Sequence, residues 1–236
     1  RPIYAFWKSI LSEPEKFCRQ VRNATMSVDE WRKQREIIRA QETADFFELG
    51  FAAFYLNRCN RSGVLTGGVI GGLDQTGEWK IDARFPKKEL VNRIEAIAQR
   101  KASIKITCMD AEKYILEQLP KIKSKTFIYY DPPYYEKAKG LYLNSYKEDD
   151  HERIAKIIQK RTSKHWILSY DAAKEVLKLY TKRDQFLYNL QYNAASAYKG
   201  KEVFIFSDNL NIPKSSGLPF VNVALQRRQR KFKQAA

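Results

Sequence analysis

The central segment of the sequence is Thr126-Phe127-Ile128-Tyr129-Tyr130-Asp131-Pro132-Pro133-Tyr134-Tyr135. Its first half is rich in aromatic and β-branched residues, which predicts a buried strand. The strand has to stop at Pro132 and Pro133, because proline has no N–H to donate to a ladder. In open α/β sheets, ligands bind just beyond the carboxyl ends of the strands. We therefore expect Asp131 and Tyr134 to lie in a functional site.

The tetrad Asp131-Pro132-Pro133-Tyr134 suits attack by a planar amine on an electrophile. The Asp131 carboxylate and the Pro132 carbonyl only accept hydrogen bonds, so together they can hold both hydrogens of an amino group. The ring of Tyr134 offers a flat face on which a heterocycle can stack. Taken alone, Asp-Pro-Pro is more often a plain turn, so the functional interpretation depends on the flanking sequence.

The composition favours a polyanionic partner. The 236 residues include 43 Lys and Arg against 27 Asp and Glu, which gives a formal charge of +16. This excess points to nucleic acid, and a solvated basic surface is the alternative. No apolar run approaches the ~20 residues of a membrane span, so we expect no membrane partner.

The cysteines and histidines argue against metal chemistry. Cys18, Cys59 and Cys108 are scattered and odd in number, which predicts buried thiols in a reducing cytosol. His151 and His165 are the only histidines, and no CxxC or HxxxH spacing occurs. We therefore expect no metal. The zinc deaminases, another class of base-modifying enzyme, are excluded because their H-x-E and P-C-x-x-C signature is absent.

The periodicity of the chain predicts an α/β fold. Apolar spacing and capping signals predict helices at 2–11, 28–39, 43–56, 86–100, 111–119, 148–160 and 172–180. Alternating or β-branched runs predict strands at 103–108, 126–131, 165–170, 185–192 and 202–207. Alternation of strands and helices, followed by a strand pair, predicts a mostly parallel sheet with an antiparallel edge strand.

Residues 57–85 form a glycine-rich and basic region. They hold six of the ten glycines, and arginines and lysines alternate there with Trp79 and Phe85. The glycines do not form GxGxxG between a strand and a helix, so they do not predict a cofactor loop. A flexible surface loop is one interpretation, but a long irregular stretch inside a compact domain is usually functional. Basic residues among glycines favour close approach to a nucleic-acid backbone.

Several segments, in order along nearly the whole chain, resemble the Dam-type adenine-specific DNA methyltransferases. The tetrad matches the catalytic motif of that family and is the most specific part of the resemblance. Other segments support it. Residues 54–58, with Asn60 and 62–63, resemble the start of the target-recognition region, and residues 108–110 resemble the third motif. Tyr146 with 149–153 resembles the loop and helix behind the catalytic motif, and residues 199–205 resemble the closing strand.

The resemblance implies a Rossmann-like S-adenosylmethionine-dependent methyltransferase fold with a target-recognition insertion. It assigns 1–56 to a helical part of the catalytic domain, 57–100 to a target-recognition and DNA-binding region, and 101–236 to the catalytic domain. The implied reaction is methyl transfer from S-adenosyl-L-methionine to the N6 amino group of adenine in double-stranded DNA, with base flipping. Catalysis is implied for Asp131, Pro132, Pro133 and Tyr134, cofactor binding for Asp110 and Asp131, and DNA binding for Asn57, Arg58, Asn60, Arg61, Lys80, Tyr146 and Lys199.

The chain also departs from the pattern of the family. The family begins with a lysine-bearing motif, a Phe-x-Gly-x-Gly loop and a strand ending in an acid that holds the cofactor ribose. Pro2, Phe6 and Trp7 resemble residues that come just after that acid. We therefore expect a fragment or a degenerate member, in which residues 1–236 bind S-adenosylmethionine weakly or not at all.

Two other classes of function stay open on the sequence. One is a catalytically inactive DNA-binding module of the same fold, and the other is a methyltransferase acting on RNA or on a protein side chain. Related protein-amide methyltransferases tend to carry Asn at the position of Asp131, which argues against a protein substrate. The resemblance also allows a restriction endonuclease, or another defence or phage protein, as a partner in a bacterial cytoplasm.

Overall fold

The computed structural model describes two units of the chain, Arg1–Cys108 and Met109–Ala236. The described residues are 1–123, 125–136, 146–161, 164–192, 198–208, 210–212 and 221–222, with side chains for all except 161, 189–192, 198–200 and 221–222. The sequence-based boundary at residue 101 lies near this division, and the regions 1–56 and 57–100 share the first unit. The functional assignment of those regions stays a prediction.

The first unit is helical. Its longer helices are α1 Pro2–Ser12, α2 Pro14–Asn23, α3 Val28–Arg39, α4 Phe46–Cys59 and α5 Lys87–Ala98. The predicted helices at 2–11, 28–39, 43–56 and 86–100 are confirmed, with their ends moved by a few residues. Capping explains two of these ends. The Ser27 hydroxyl accepts the N–H of Glu30, as the sequence predicts, while Asp45 accepts the N–H groups of Phe47 and Glu48 and so starts α4 after residue 45.

Helix α4 forms the centre of the first unit, as predicted from the apolar residues that it carries on nearly all sides. It packs against α1 and α3, and ten of its residues are buried. Gly50 allows α1 to approach closely, because a Cβ at this position would lie 2.8 Å from the carbonyl carbon and oxygen of Ala5. Aromatic rings fill the space between the helices, with Phe17 and Phe54 packed edge to face at 5.5 Å.

The second unit contains a mixed sheet. Its helices are α6 Ala111–Glu117, α7 Glu148–Arg161 and α8 Lys174–Leu179, and its strands are β1 Phe127–Tyr130, β2 His165–Asp171, β3 Asp184–Tyr192, β4 Tyr198–Phe206 and β5 Val221–Asn222. The strand order is β1-β2-β4-β3-β5. The α/β class is confirmed. Among the described strands, however, only β1 and β2 pair in parallel, so the sheet is less parallel than predicted.

The strand predicted at 103–108 is wrong. A short 3₁₀ helix occupies Lys101–Ser103, and residues 104–110 carry neither strand nor helix. The alternation of Ile104 and Ile106 with polar residues only indicates that one side of the segment is apolar. A strand also needs a partner for its backbone groups, and a local pattern cannot supply that partner. This correction removes one of the parallel strands expected from the sequence.

Two burial predictions also need correction. Strand β1 lies at the edge of the sheet among the described strands, and Phe127 and Tyr129 are 60% and 55% exposed. Its other face is partly buried, through Ile128 and Tyr130, which pack against the core of the second unit. Cys18 and Cys59 are buried as predicted, whereas Cys108, which lies in a segment without strand or helix, is exposed.

None of the helices in the described part of the chain combines the length and the apolar character that a bilayer crossing requires.

Candidate active site

Asp131 follows the last residue of β1 and is exposed to solvent. The parallel register pairs Tyr130 with Leu168, so Asp131 comes beside Ser169 of β2. The Ser169 hydroxyl donates a hydrogen bond to Oδ1 of Asp131 at 3.2 Å, and it lies 2.7 Å from the Tyr129 hydroxyl. The neighbouring strand therefore positions one carboxylate oxygen, while the residue stays open to a ligand.

A buried carboxylate holds the backbone immediately after the tetrad. Asp171, the last residue of β2, is only 2% exposed. Its Oδ1 accepts the N–H of Tyr135 and its Oδ2 accepts the N–H of Glu136, both at 2.8 Å. Hydrogen bonds to a carboxylate are about twice as strong as those between neutral groups, so this pair fixes the chain that leaves Tyr134.

A second buried carboxylate orients the ring of Tyr134. Glu202 of β4 is 4% exposed, and its Oε1 accepts the hydroxyl of Tyr134 at 2.8 Å. Its Oε2 accepts the hydroxyl of Tyr188, whose ring stacks on Phe204 at 4.6 Å. The antiparallel register places Glu202 directly opposite Asp171. Two opposed acids in a sheet are unfavourable, and the hydrogen bonds that both accept offset that cost.

The sequence patterns did not point to Asp171 or Glu202 as members of this site. One signal was present for Asp171, since it ends β2 in the same way that Asp131 follows β1. Glu202 lies inside the segment 199–205 that resembles the closing strand of the family, but nothing in that segment indicates what the side chain contacts.

Helix α7 places His151 behind the turn. The imidazole is 2% exposed, its Nδ1 lies 2.6 Å from the Tyr170 hydroxyl, and its ring packs against Tyr135 at 4.9 Å. Burial lowers the pKa of His151 below its ordinary value, while the charges of Asp171 and Asp150 act in the opposite direction. An imidazole that favours its neutral form therefore packs against the residue that follows the tetrad.

Tyr146 and Asp110 lie close enough for the Asp110 charge to act on the Tyr146 hydroxyl. Burial is the main reason that the pKa of Tyr146 is raised, and Asp110 is the next. Asp110 is exposed and caps α6, as predicted, because its Oδ1 accepts the N–H of Lys113 at 3.0 Å. Its Oδ2 makes no hydrogen bond to any described residue. A predicted cofactor residue and a predicted DNA-binding residue therefore interact electrostatically.

A family model described as D12 class N6 adenine-specific DNA methyltransferase matches residues 2–196. The chain belongs to this family. The resemblance inferred from the tetrad is thereby confirmed, and the activity characteristic of a D12 methyltransferase is methylation of adenine in DNA. A comparison with curated proteins found no match.

Asn60 and Asn57, two of the predicted DNA contacts in this D12 methyltransferase, make hydrogen bonds within the first unit. Asn60 is completely buried, and its Oδ1 accepts the indole N–H of Trp31 at 2.6 Å. The prediction that Asn60 contacts DNA is therefore corrected, because its amide is inaccessible and already bonded. Asn57 is exposed, and its Nδ2 donates to the carbonyl of Gly63 at 3.0 Å.

The predicted basic contacts differ in accessibility. Arg61 and Lys80 are exposed, and Nζ of Lys80 donates to the carbonyl of Gln75 at 2.7 Å. Arg58 is partly buried, and its Nε donates to the carbonyl of Arg84 at 2.6 Å. Burial, followed by the positive charge of Arg84, lowers the pKa of Arg58.

The remaining predicted contacts cannot all be placed. Lys199 lies in β4, but its side chain falls outside the described part. The lysine- and tyrosine-rich loop at 137–145 and the basic tail at 227–233 also lie outside the described residues.

Proposed function

We propose that this chain acts in methyl transfer from S-adenosyl-L-methionine to the N6 amino group of adenine in double-stranded DNA. In this proposal, Asp131, Pro132 and Tyr134 hold an adenine that has been flipped out of the duplex. The observation that carries the proposal is the exposed carboxylate of Asp131 at the end of β1, with one oxygen positioned by Ser169. Membership of the D12 family supports adenine in DNA as the acceptor.

The proposed work of Asp131 and Pro132 is to improve a poor nucleophile. The lone pair of the N6 nitrogen is delocalised into the adenine ring. When the carboxylate and the Pro132 carbonyl each accept one amine hydrogen, the lone pair becomes localised and points in one direction. This is orientation combined with preorganised polar stabilisation. Asp131 need not be a strong base, because the amine loses its proton readily once it has been methylated.

The proposed work of Tyr134 is to receive the base. Adenine inside a duplex cannot reach the tetrad, and flipping it out costs a few kcal/mol. Stacking on an aromatic ring returns about 1–3 kcal/mol per base. The hydrogen bond from Tyr134 to Glu202 supports this role, since a ring held in place before the base arrives loses less entropy when it binds.

The cofactor supplies an electrophilic methyl group on a sulfonium. Among the described residues, Asp110 fits the recognition of its adenine part, because Asp110 is exposed and its Oδ2 is left to accept a hydrogen bond. Asp131 offers a second exposed carboxylate at the end of β1. Two exposed acceptors suit the amino and hydroxyl donors of a nucleoside and the ammonium group of an amino acid.

Substitution of Asp131 tests the proposal. Asp131→Ala is expected to abolish methyl transfer and to leave DNA affinity within about tenfold, because the flipped base is the only part of the DNA that the residue contacts. Transfer of labelled methyl groups to an adenine-containing duplex measures the first effect, and a binding titration measures the second. Glu117→Ala removes another exposed carboxylate of the same unit and serves as the matched control. Adenine methylation at the normal rate by Asp131→Ala would refute the assignment.

A further inference from the structure

The first unit contains an arginine-lined groove that the proposed reaction does not use. It has a volume of about 580 Å³ and lies between α3 and the glycine-rich region. Arg32, Arg35, Arg39 and Arg61 line it, and Glu36 is the one acidic residue among its described lining residues. We refer to it below as the arginine groove. Its net charge is positive even though Arg39 pairs with Glu36 and Arg32 pairs with Asp29.

Helix α3 presents its arginines on one face. Positions 32, 35 and 39 are separated by three and four residues, which places them in a row along a helix. The seven residue steps from Arg32 to Arg39 rise by about 10 Å along the helix axis. That length equals about three times the 3.4 Å that separates successive charges of one DNA strand along the duplex axis. The guanidinium of Arg35 lies 4.6 Å from the Trp31 ring, which restricts its orientation.

The opposite wall of the groove is held in place by Asn60. The Asn60 amide accepts the indole N–H of Trp31 and donates to the carbonyls of Val64 and Leu65, at 2.8 and 3.0 Å. The backbone N–H of Arg61 donates to the carbonyl of Gly68 at 2.9 Å. These contacts connect α3 to the glycine-rich region, so the backbone that carries the arginines on both walls is positioned before any ligand binds.

Two glycines leave the groove open to a ligand. Gly68 and Gly72 both line it, and a Cβ at either position would meet no protein atom within 4 Å. Gly72 has a φ of +79°, which accounts for a glycine there, whereas Gly68 has no positive φ. The backbone conformation therefore does not require a glycine at position 68. The missing side chain leaves room in the groove, which allows a phosphate to approach the backbone closely.

We propose that the arginine groove binds the sugar-phosphate backbone of duplex DNA. Planar guanidinium groups match phosphate oxygens in a two-pronged geometry, and four of them in one groove suit a row of phosphates. The proposal rests on the proposed function and extends it, since it assigns DNA binding to residues of α3 that lie outside the region 57–100. It also gives Arg61 a specific role, contact with phosphate.

The salt dependence of DNA binding provides the test. Binding of the 236-residue chain to a short fluorescent duplex is measured by anisotropy over a series of salt concentrations. Each lost phosphate contact lowers the slope of log K against log salt by about 0.9. We expect this decrease for Arg39→Gln and again for Arg61→Gln, with additive decreases in the double variant. Arg39→Lys retains the charge and should retain the slope.

Arg93→Gln is the matched control. Arg93 is exposed on α5 and pairs with Glu89 of its own helix, as Arg39 pairs with Glu36, but it does not line the groove. Its substitution should leave the slope unchanged. Gly68→Asp adds a carboxylate to the groove while keeping every arginine, and it should weaken binding severalfold or more. Circular dichroism establishes that each variant is folded.

The outcomes separate the two proposals. If the wild-type chain binds duplex DNA but Arg39→Gln, Arg61→Gln and Gly68→Asp bind with unchanged affinity and slope, the groove assignment is wrong. The methyl-transfer proposal is then tested by the Asp131→Ala variant alone. If Arg93→Gln lowers the slope as much as Arg39→Gln does, binding follows net charge and the groove assignment is again overturned. A decrease confined to the groove variants supports it.

Discussion

The hydroxyl of Tyr134 donates a hydrogen bond to the buried carboxylate of Glu202 at 2.8 Å, although β2 lies between β1 and β4 in the sheet. Tyr134 follows β1, and Glu202 belongs to β4. The ring proposed to receive adenine is thus oriented by an acid 68 residues further along the chain. This contact gives β4 a direct part in the candidate site.

Removal of the Tyr134 hydroxyl should impair methyl transfer more than it impairs folding. Tyr134→Phe keeps the stacking surface and loses the hydrogen bond, so we expect kcat/KM to fall by about tenfold, equivalent to ~1.4 kcal/mol. Steady-state kinetics of methyl transfer measures this effect. Tyr188→Phe removes the other tyrosine hydroxyl from Glu202 without altering the tetrad, and its kcat/KM should change less. Equal effects of the two substitutions would show that Glu202 acts through stability alone.

Asp171 should be needed for the stability of the second unit. Asp171→Asn replaces one accepting oxygen by an amide that cannot accept, so the N–H of Tyr135 or Glu136 loses its partner. An unpaired buried group of this kind costs about 1–3 kcal/mol. Urea denaturation monitored by tryptophan fluorescence should show that loss. Asp184→Asn changes an exposed acid at the start of β3 and should stay within about 0.5 kcal/mol of the wild type. Equal stability of both variants would contradict a structural role for Asp171.

Local patterns were sufficient to predict much of the fold. The apolar spacing of α4, the Ser27 cap of α3 and the Asp110 cap of α6 each depend on residues within a few positions of one another. The position of the tetrad followed from two prolines that end a strand. In each of these cases, the information that determines the structure lies within one segment of the sequence.

Contacts between distant segments were not predictable in the same way. Asp171 bonds to backbone 36 and 35 residues earlier, and Trp31 bonds to Asn60 across 29 residues. The arginines of α3 look like the solvated face of an ordinary helix until the glycine-rich region is placed beside them. The strand expected at 103–108 failed for the same reason, because it depended on a partner strand that its own sequence does not specify.

The three thiols should differ in reactivity. Cys108 is exposed, whereas Cys18 and Cys59 are buried. Burial raises the pKa of both buried thiols, that of Cys59 to about 12, so neither forms the reactive thiolate readily. A chromogenic disulfide should therefore label one cysteine quickly in the native chain and all three in urea. Cys108→Ser should remove the fast phase. A fast phase that persists in this variant would show that the first unit opens at Cys18 or Cys59.

The second unit should lose stability as the pH falls, through His151. Because burial lowers the pKa of His151 from its ordinary value of 6.5, the unfolded chain binds the proton more readily than the folded one. Stability therefore rises with pH through the window that begins at the lowered folded-state pKa and ends just above 6.5.

Histidine NMR titration, with the His151 signals assigned by their loss in His151→Gln, should give a midpoint below 6.5. The difference in urea midpoint between neutral and mildly acidic pH should shrink in the same variant, which cannot acquire the buried charge. A His151 midpoint above 6.5 would mean that the charges of Asp171 and Asp150 outweigh burial, and the stability change would then have the opposite sign.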